Sequence, residues 1–264
     1  MRYSLFRISN TGADNNTAMF LQAMHAMLAG IFLSVFDITV HSLFLARFDE
    51  TNMARAFIFS GIAGMVLAAI CSESGKRIRS GIHAIIILLF VSLAGFLIWV
   101  LLIMIPGDRI IAVAFIAIWP LNGLVMLKFA GDAGVLTEQG PGRLQSKNIR
   151  TWIITGAMSG SFLVALLINT GMDARHFLLI GSVSILMATV MLIFTRITRG
   201  KYTGKITKSG DVTGDYRDSR SITGLFRENQ LFRRISCYAI LSVAATLFIR
   251  YSFMAETRLQ YPSM

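Results

Sequence analysis

Residues 82–105 read IHAIIILLFVSLAGFLIWVLLIMI, 24 consecutive positions without one Asp, Glu, Lys or Arg. Wound as an α-helix, the stretch is about 36 Å long, enough to cross a hydrocarbon layer about 30 Å thick. A helix apolar on every face belongs either deep in a large protein or in lipid. Its neighbours decide between the two. Similar blocks recur at about 18–46, 54–71, 110–130, 149–169, 176–195 and 235–255, so the sequence predicts seven spans. Hydrophobic residues make up 55% of the 264 and charged ones 15%, with a mean hydropathy of +0.64, which excludes an ordinary water-soluble domain. Lipid offers the backbone no hydrogen-bond partners, so each span is helical. The expected fold is an all-α membrane protein, a multi-pass helical bundle.

The charges between the blocks give the orientation. Arg2 and Arg7, then Lys76, Arg77 and Arg79, then Arg143, Lys147 and Arg150 all fall on one side of the membrane. The same side receives the connection before the seventh block, with Arg199, Lys201, Lys205, Lys208, Arg217, Arg220 and Arg227 among its cations. Alternate loops hold only Arg47 and Arg55, Arg109, and Arg175, each near an acidic residue. The positive-inside rule therefore puts the N-terminus in the cytoplasm, in the cell (inner) membrane. The net charge of +11 is explained by basic loops lying against anionic lipid head groups, with no need for nucleic acid.

The chain divides into a cytoplasmic segment 1–17, a six-helix bundle 18–198, a basic cytoplasmic linker 199–224 rich in Gly, Ser, Thr and Asp, and a unit 225–264. That last unit opens with Leu225, Phe226, Leu231 and Phe232 interleaved with Arg227, Arg233 and Arg234, an amphipathic pattern suited to the membrane surface. It continues into the seventh span and stops soon after, which suggests the start of a missing C-terminal half.

Gly30, Ser34, Asp37 and His41 recur every three or four residues and share one face of the first span. A carboxylate in mid-membrane is retained for a reason, and Asp37 with His41 is a candidate for binding solute or proton; a structural ion pair is the alternative. Arg250 in the seventh span lies at a depth comparable with Asp37, as a charge partner, as a joint holder of an anionic solute, or as a side chain reaching to the interface. Asn122, just past Pro120, offers an amide to a cavity or to a neighbouring helix. Lys128 reads as an interfacial cation and His25 as a packing residue. Gly156 with Gly160, and Ser60 with Gly64, place small residues four apart, which lets helix backbones approach closely. Cys71 and Cys237 read as small buried hydrophobes. Zinc spacing, a phosphate loop and an elbow serine are all missing from the sequence, so neither an enzyme nor a metal or cofactor is expected.

Six spans, a basic linker and a seventh span resemble the major facilitator architecture of two six-helix halves around a central site. Ile118, Trp119, Pro120, Leu121, Asn122 through Phe129, and Arg143 through Gly156, Ala157, Met158, Ser159 and Gly160, are similar to the fourth and fifth helices of its ATP:ADP translocase-like (nucleotide transporter-like) branch. Leu247, Phe248, Ile249, Arg250, Tyr251, Ser252 and Phe253 look like the opening helix of that branch's second half, and Gly75, Lys76 and Arg77 match the core of the superfamily's loop signature. The resemblance implies a secondary transporter working by alternating access on a small-molecule solute, with an anionic solute and proton coupling as options. It does not carry nucleotide exchange, because the exchangers have a basic residue in the first helix and an acidic one in the fourth, where this chain has Asp37 and Trp119 to Asn122. The competing expectation is a non-transporting membrane scaffold or sensor that keeps a transporter-like fold and binds a partner through its basic linker.

Overall fold

The computed structural model describes residues 5–77, 80–105, 107–137, 142–203 and 230–260. Regular structure among them is helical throughout: α1 Leu5–Leu45, α2 Glu50–Arg77, α3 Ser80–Met104, α4 Asp108–Thr137, α5 Gly142–Asn169, a single 3-10 turn Ala174–His176, α6 Phe177–Thr203 and α7 Gln230–Gln260. The linker expected at 199–224 lies outside the described residues from 204 onward, and so do 225–229 of the amphipathic segment. Two compact units are present, residues 1–202 and 203–264.

Among the described residues six helices are long and apolar enough to cross a bilayer: Phe20–Leu45, Thr51–Gly75, Ile82–Met104, Asp108–Phe129, Ile149–Asn169 and Ala174–Thr195. The chain is a multi-pass helical membrane bundle. In the seventh block the described apolar stretch is Leu241–Met254, within the 31-residue helix α7.

Short signals set the connections. Gly171, at φ +75°, takes the left-handed conformation that ends α5. The Asp173 carboxylate then accepts the Arg175 backbone N–H at 3.0 Å and starts the turn into α6. Asp108 lies in the first turn of α4, where the helix dipole favours an anion.

Helix α1 is the centre of the first unit. Ala26, Ala29, Phe32, Val35, Phe36, Val40 and Phe44 are all buried along it. It packs along α5 and α4, and α2 packs against α4. Helix α6 is tied to α1 by the Ser184 hydroxyl, which donates to the Leu28 carbonyl at 2.7 Å, and to α3 by Ser92, which donates to the Ser182 carbonyl at 3.2 Å. One core cluster joins Val35 of α1, Val164 of α5 and Phe177 of α6.

The α1–α5 crossing is closer than side chains would permit. A Cβ at Gly156 would sit 2.0 Å from the Met27 carbonyl oxygen, and one at Gly30 would sit 2.1 Å from that of Ile153. At Gly160 the nearest atoms are Ile31 Cα and its carbonyl oxygen, both 3.1 Å away. Backbone therefore meets backbone at three glycines, the arrangement that small residues make possible in lipid. The second small-residue pair behaves differently: at Gly64 a Cβ would meet only Pro120 Cγ at 4.0 Å, an ordinary contact, so no close approach depends on it. Helices α2 and α5 turn apolar side chains outward, Ile58, Phe59, Ile62, Met65 and Val66 on one and Ile154, Met158, Phe162 and Leu166 on the other, as lipid or an apolar neighbour requires.

Candidate functional site

Helices α1 and α4 run antiparallel, because His41 meets Phe115 near one end while His25 meets Phe129 near the other, with ring centroids 5.1 and 5.0 Å apart. Two polar groupings occupy the two ends of this interface.

The first contains Asp37 and His41. His41 Nδ1 lies 2.7 Å from the Asp37 backbone carbonyl, which can only accept, so Nδ1 carries the hydrogen. The same nitrogen is 3.6 Å from Asp37 Oδ1. The His41 side chain is 13% exposed and that of Asp37 30%, so the carboxylate is the more open end of the pair. Around them stands an aromatic group from three helices: Phe44 stacks on Phe115 at 4.1 Å, Phe57 of α2 meets Phe115 edge-on at 5.2 Å, and the rings of Phe57 and Trp119 are 6.5 Å apart. His41 Nε2, Ser60 Oγ of α2 and Asn122 Oδ1 of α4 are buried in this region without a hydrogen-bond partner. Ser60 was singled out in the sequence as a packing residue. The structure adds an unsatisfied hydroxyl on a residue only 1% exposed.

Ser34, expected beside Asp37 on a wet face, is engaged elsewhere. Its hydroxyl is 2.8 Å from that of Ser161, and it is buried in the α1–α5 contact that Gly30, Gly156 and Gly160 allow. The polar face of α1 is thus divided, with Gly30 and Ser34 meeting α5 and His41 meeting α4. Arg250 lies on α7 in the second unit, partly exposed. The side chains of Lys76 and Arg77 lie outside the described residues; a Cβ on Gly75 would be 3.3 Å from the ring of His83.

The second grouping corrects the reading of Lys128. Instead of reaching an interface, Lys128 is 6% exposed, and His25 beside it is 2% exposed. His25 Nδ1 is 2.7 Å from the Ala188 carbonyl of α6 and so holds its hydrogen there. The other ring nitrogen, Nε2, is left as an acceptor for the Lys128 ammonium, with which it is hydrogen-bonded. Lys128 Nζ also stands 4.1 Å from the centroid of the Phe129 ring, a cation–π contact. Three spanning helices therefore meet on one buried cation. Its sequence signal is the placement of Lys128 inside the run Leu124, Val125, Met126, Leu127 and Phe129, whereas nothing in the sequence pairs it with a histidine about a hundred positions earlier.

The chain matches no family model, and no curated protein or solved structure is detectably similar to it. Among the described residues no group of three or more His, Cys, Asp or Glu is placed to hold a metal ion.

Proposed function

We propose that the chain is a secondary transporter, or part of one, that moves a small solute by alternating access, with the bundle 18–198 as one of two moving bodies as in the major facilitator superfamily. The N-terminus faces the cytoplasm of a cell whose inner membrane holds the protein. Asp37, His41 and Asn122 bind the solute, and the contact between α2 and α4 opens to admit it.

The observation that carries the reading is the set of unsatisfied atoms His41 Nε2, Ser60 Oγ and Asn122 Oδ1 on three membrane-spanning helices. In hydrocarbon each unpaired polar group is destabilising by several kcal/mol, with roughly 1–3 kcal/mol as the value from protein mutations. A bundle built only to pack would satisfy them or replace them with apolar side chains. A carrier leaves them for its solute. Pro120 supports the same view, since it removes the hydrogen bond to the Ile116 carbonyl between Trp119 and Asn122 and gives α4 a place to bend.

The test is counterflow into proteoliposomes made with the full chain, using labelled nucleotides, peptides, organic anions and amines, with and without an imposed pH gradient. One solute class should accumulate, and Asp37→Asn and Asn122→Leu should abolish it. A failure of every class to move, or uptake indifferent to both substitutions, refutes the proposal.

A further inference from the structure

We infer that the wall shared by α1, α2 and α4 binds the uncharged amide groups of a short peptide. This rests on the carrier reading for the location of the site and adds the chemical class of what binds there.

Register sets the spacing of the groups. Going inward from the His41–Phe115 contact, one turn of antiparallel α4 reaches Trp119 and the next reaches Asn122. Helix α2 runs parallel to α4, since Phe57 meets Phe115 and Trp119 while Gly64 lies near Pro120. Ser60, one turn past Phe57, therefore falls between His41 and Asn122 in depth. The three are spread over about 10 Å of helix axis, the span of about three residues of extended chain.

The wall mixes donors with acceptors. His41 Nδ1 gives its hydrogen to the Asp37 carbonyl, so Nε2 of the neutral ring accepts. Asn122 Oδ1 also accepts, and the Ser60 hydroxyl, on a residue 1% exposed, gives a hydrogen as well as taking one. Trp119 adds an indole N–H, a donor buried in the same wall. Asp37 is already engaged, so the choice of ligand falls to these neutral groups. Each peptide unit brings one N–H and one C=O, the combination such a wall calls for. Its N–H groups suit His41 Nε2 and Asn122 Oδ1, and its carbonyl suits the Ser60 hydroxyl. An anion would set its oxygens against two acceptors, and an ammonium would set its hydrogens against an indole N–H. The rings of Phe57, Phe115 and Trp119 supply the apolar lining that small-molecule sites share.

Isothermal titration of the full chain in lipid nanodiscs tests the inference, using N-acetylalaninamide and N-acetylphenylalaninamide against N-acetylphenylalaninate, phenethylammonium chloride and the ester 3-phenylpropyl acetate, which has no N–H. Saturable binding of an amide probe is expected, weakened about two- to tenfold by Ser60→Ala and by Asn122→Leu, as loss of one hydrogen bond implies. The unfolding midpoint of the ligand-free chain should hold or rise in both variants, because each removes a buried polar atom that has no partner. No saturation by either amide, as a site filled by water alone would give, overturns the inference. So does binding of the ester, the anion or the ammonium as tight as that of the amides, unchanged amide binding in both variants, or a lowered midpoint in both, which would assign the atoms to packing. Amide binding without movement across proteoliposomes refutes the carrier and leaves the amide site standing; uptake of a charged class without amide binding does the reverse.

Discussion

Replacing Gly156 by alanine should weaken the bundle more than the same change at Gly123 of α4 or Gly160 of α5. The new Cβ would lie 2.0 Å from the Met27 carbonyl oxygen. Carbon–oxygen contacts across helix pairs settle near 3.3 Å, so α1 and α5 must part by a little over about 1 Å. Neither side can yield locally, because both are backbone. A gap of that size forfeits roughly a quarter to a half of the dispersion energy at each contact it opens. Overpacking of this kind is destabilising by about 1–3 kcal/mol. The Ser34–Ser161 hydrogen bond, 2.8 Å long in the same crossing, stretches with it and adds about 0.6 kcal/mol. The expected loss is about 2–4 kcal/mol. It would be measured by reversible unfolding in mixed micelles, with Gly123→Ala as the control, since a Cβ on Gly123 meets nothing within 4 Å. Gly30→Ala, facing the Ile153 carbonyl at 2.1 Å, should be about as harmful alone yet add little to Gly156→Ala, because one separation relieves both. Equal stability of Gly156→Ala and Gly123→Ala, or fully additive losses in the double variant, would refute the reasoning.

The buried cation offers a second check. His25→Phe keeps a ring but removes the acceptor of Lys128 and the hydrogen bond to Ala188, so destabilisation by about 1–3 kcal/mol is expected, and Lys128→Met in the same chain should recover part of it; a double variant less stable than His25→Phe would contradict the pairing. Orientation follows from labelling single cysteines in a chain with Cys71 and Cys237 replaced by alanine. A membrane-impermeant maleimide applied to intact cells should modify positions 108 and 172 but not 79 or 143, and the opposite pattern would reverse the assignment.

The contrast between the two glycine pairs shows where sequence reading reaches its limit. Gly156 with Gly160 and Ser60 with Gly64 have the same spacing, and only the first sits where two backbones cross. Likewise Ser34, Asp37 and His41 share a face of α1 by period alone, but the crossing of α5 takes Ser34 into a hydroxyl pair while α4 meets His41. Lys128 was visible as a cation in an apolar run. Its burial depended on His25 of α1 and the Ala188 carbonyl of α6 arriving at the same place.

What the sequence determined by itself is the solvent and the elements. An uncharged run such as 82–105 leaves the backbone no partner but itself, so span lengths and helicity follow from hydropathy and hydrogen bonding within one segment. The distribution of Lys and Arg adds an expected orientation for the same local reason. Which residues face one another was decided only in the assembled bundle. Helix-to-helix register and crossing depend on contacts between positions far apart in the chain, and in lipid those contacts come from close packing and a few polar pairs, whose patterns leave little trace along a single helix.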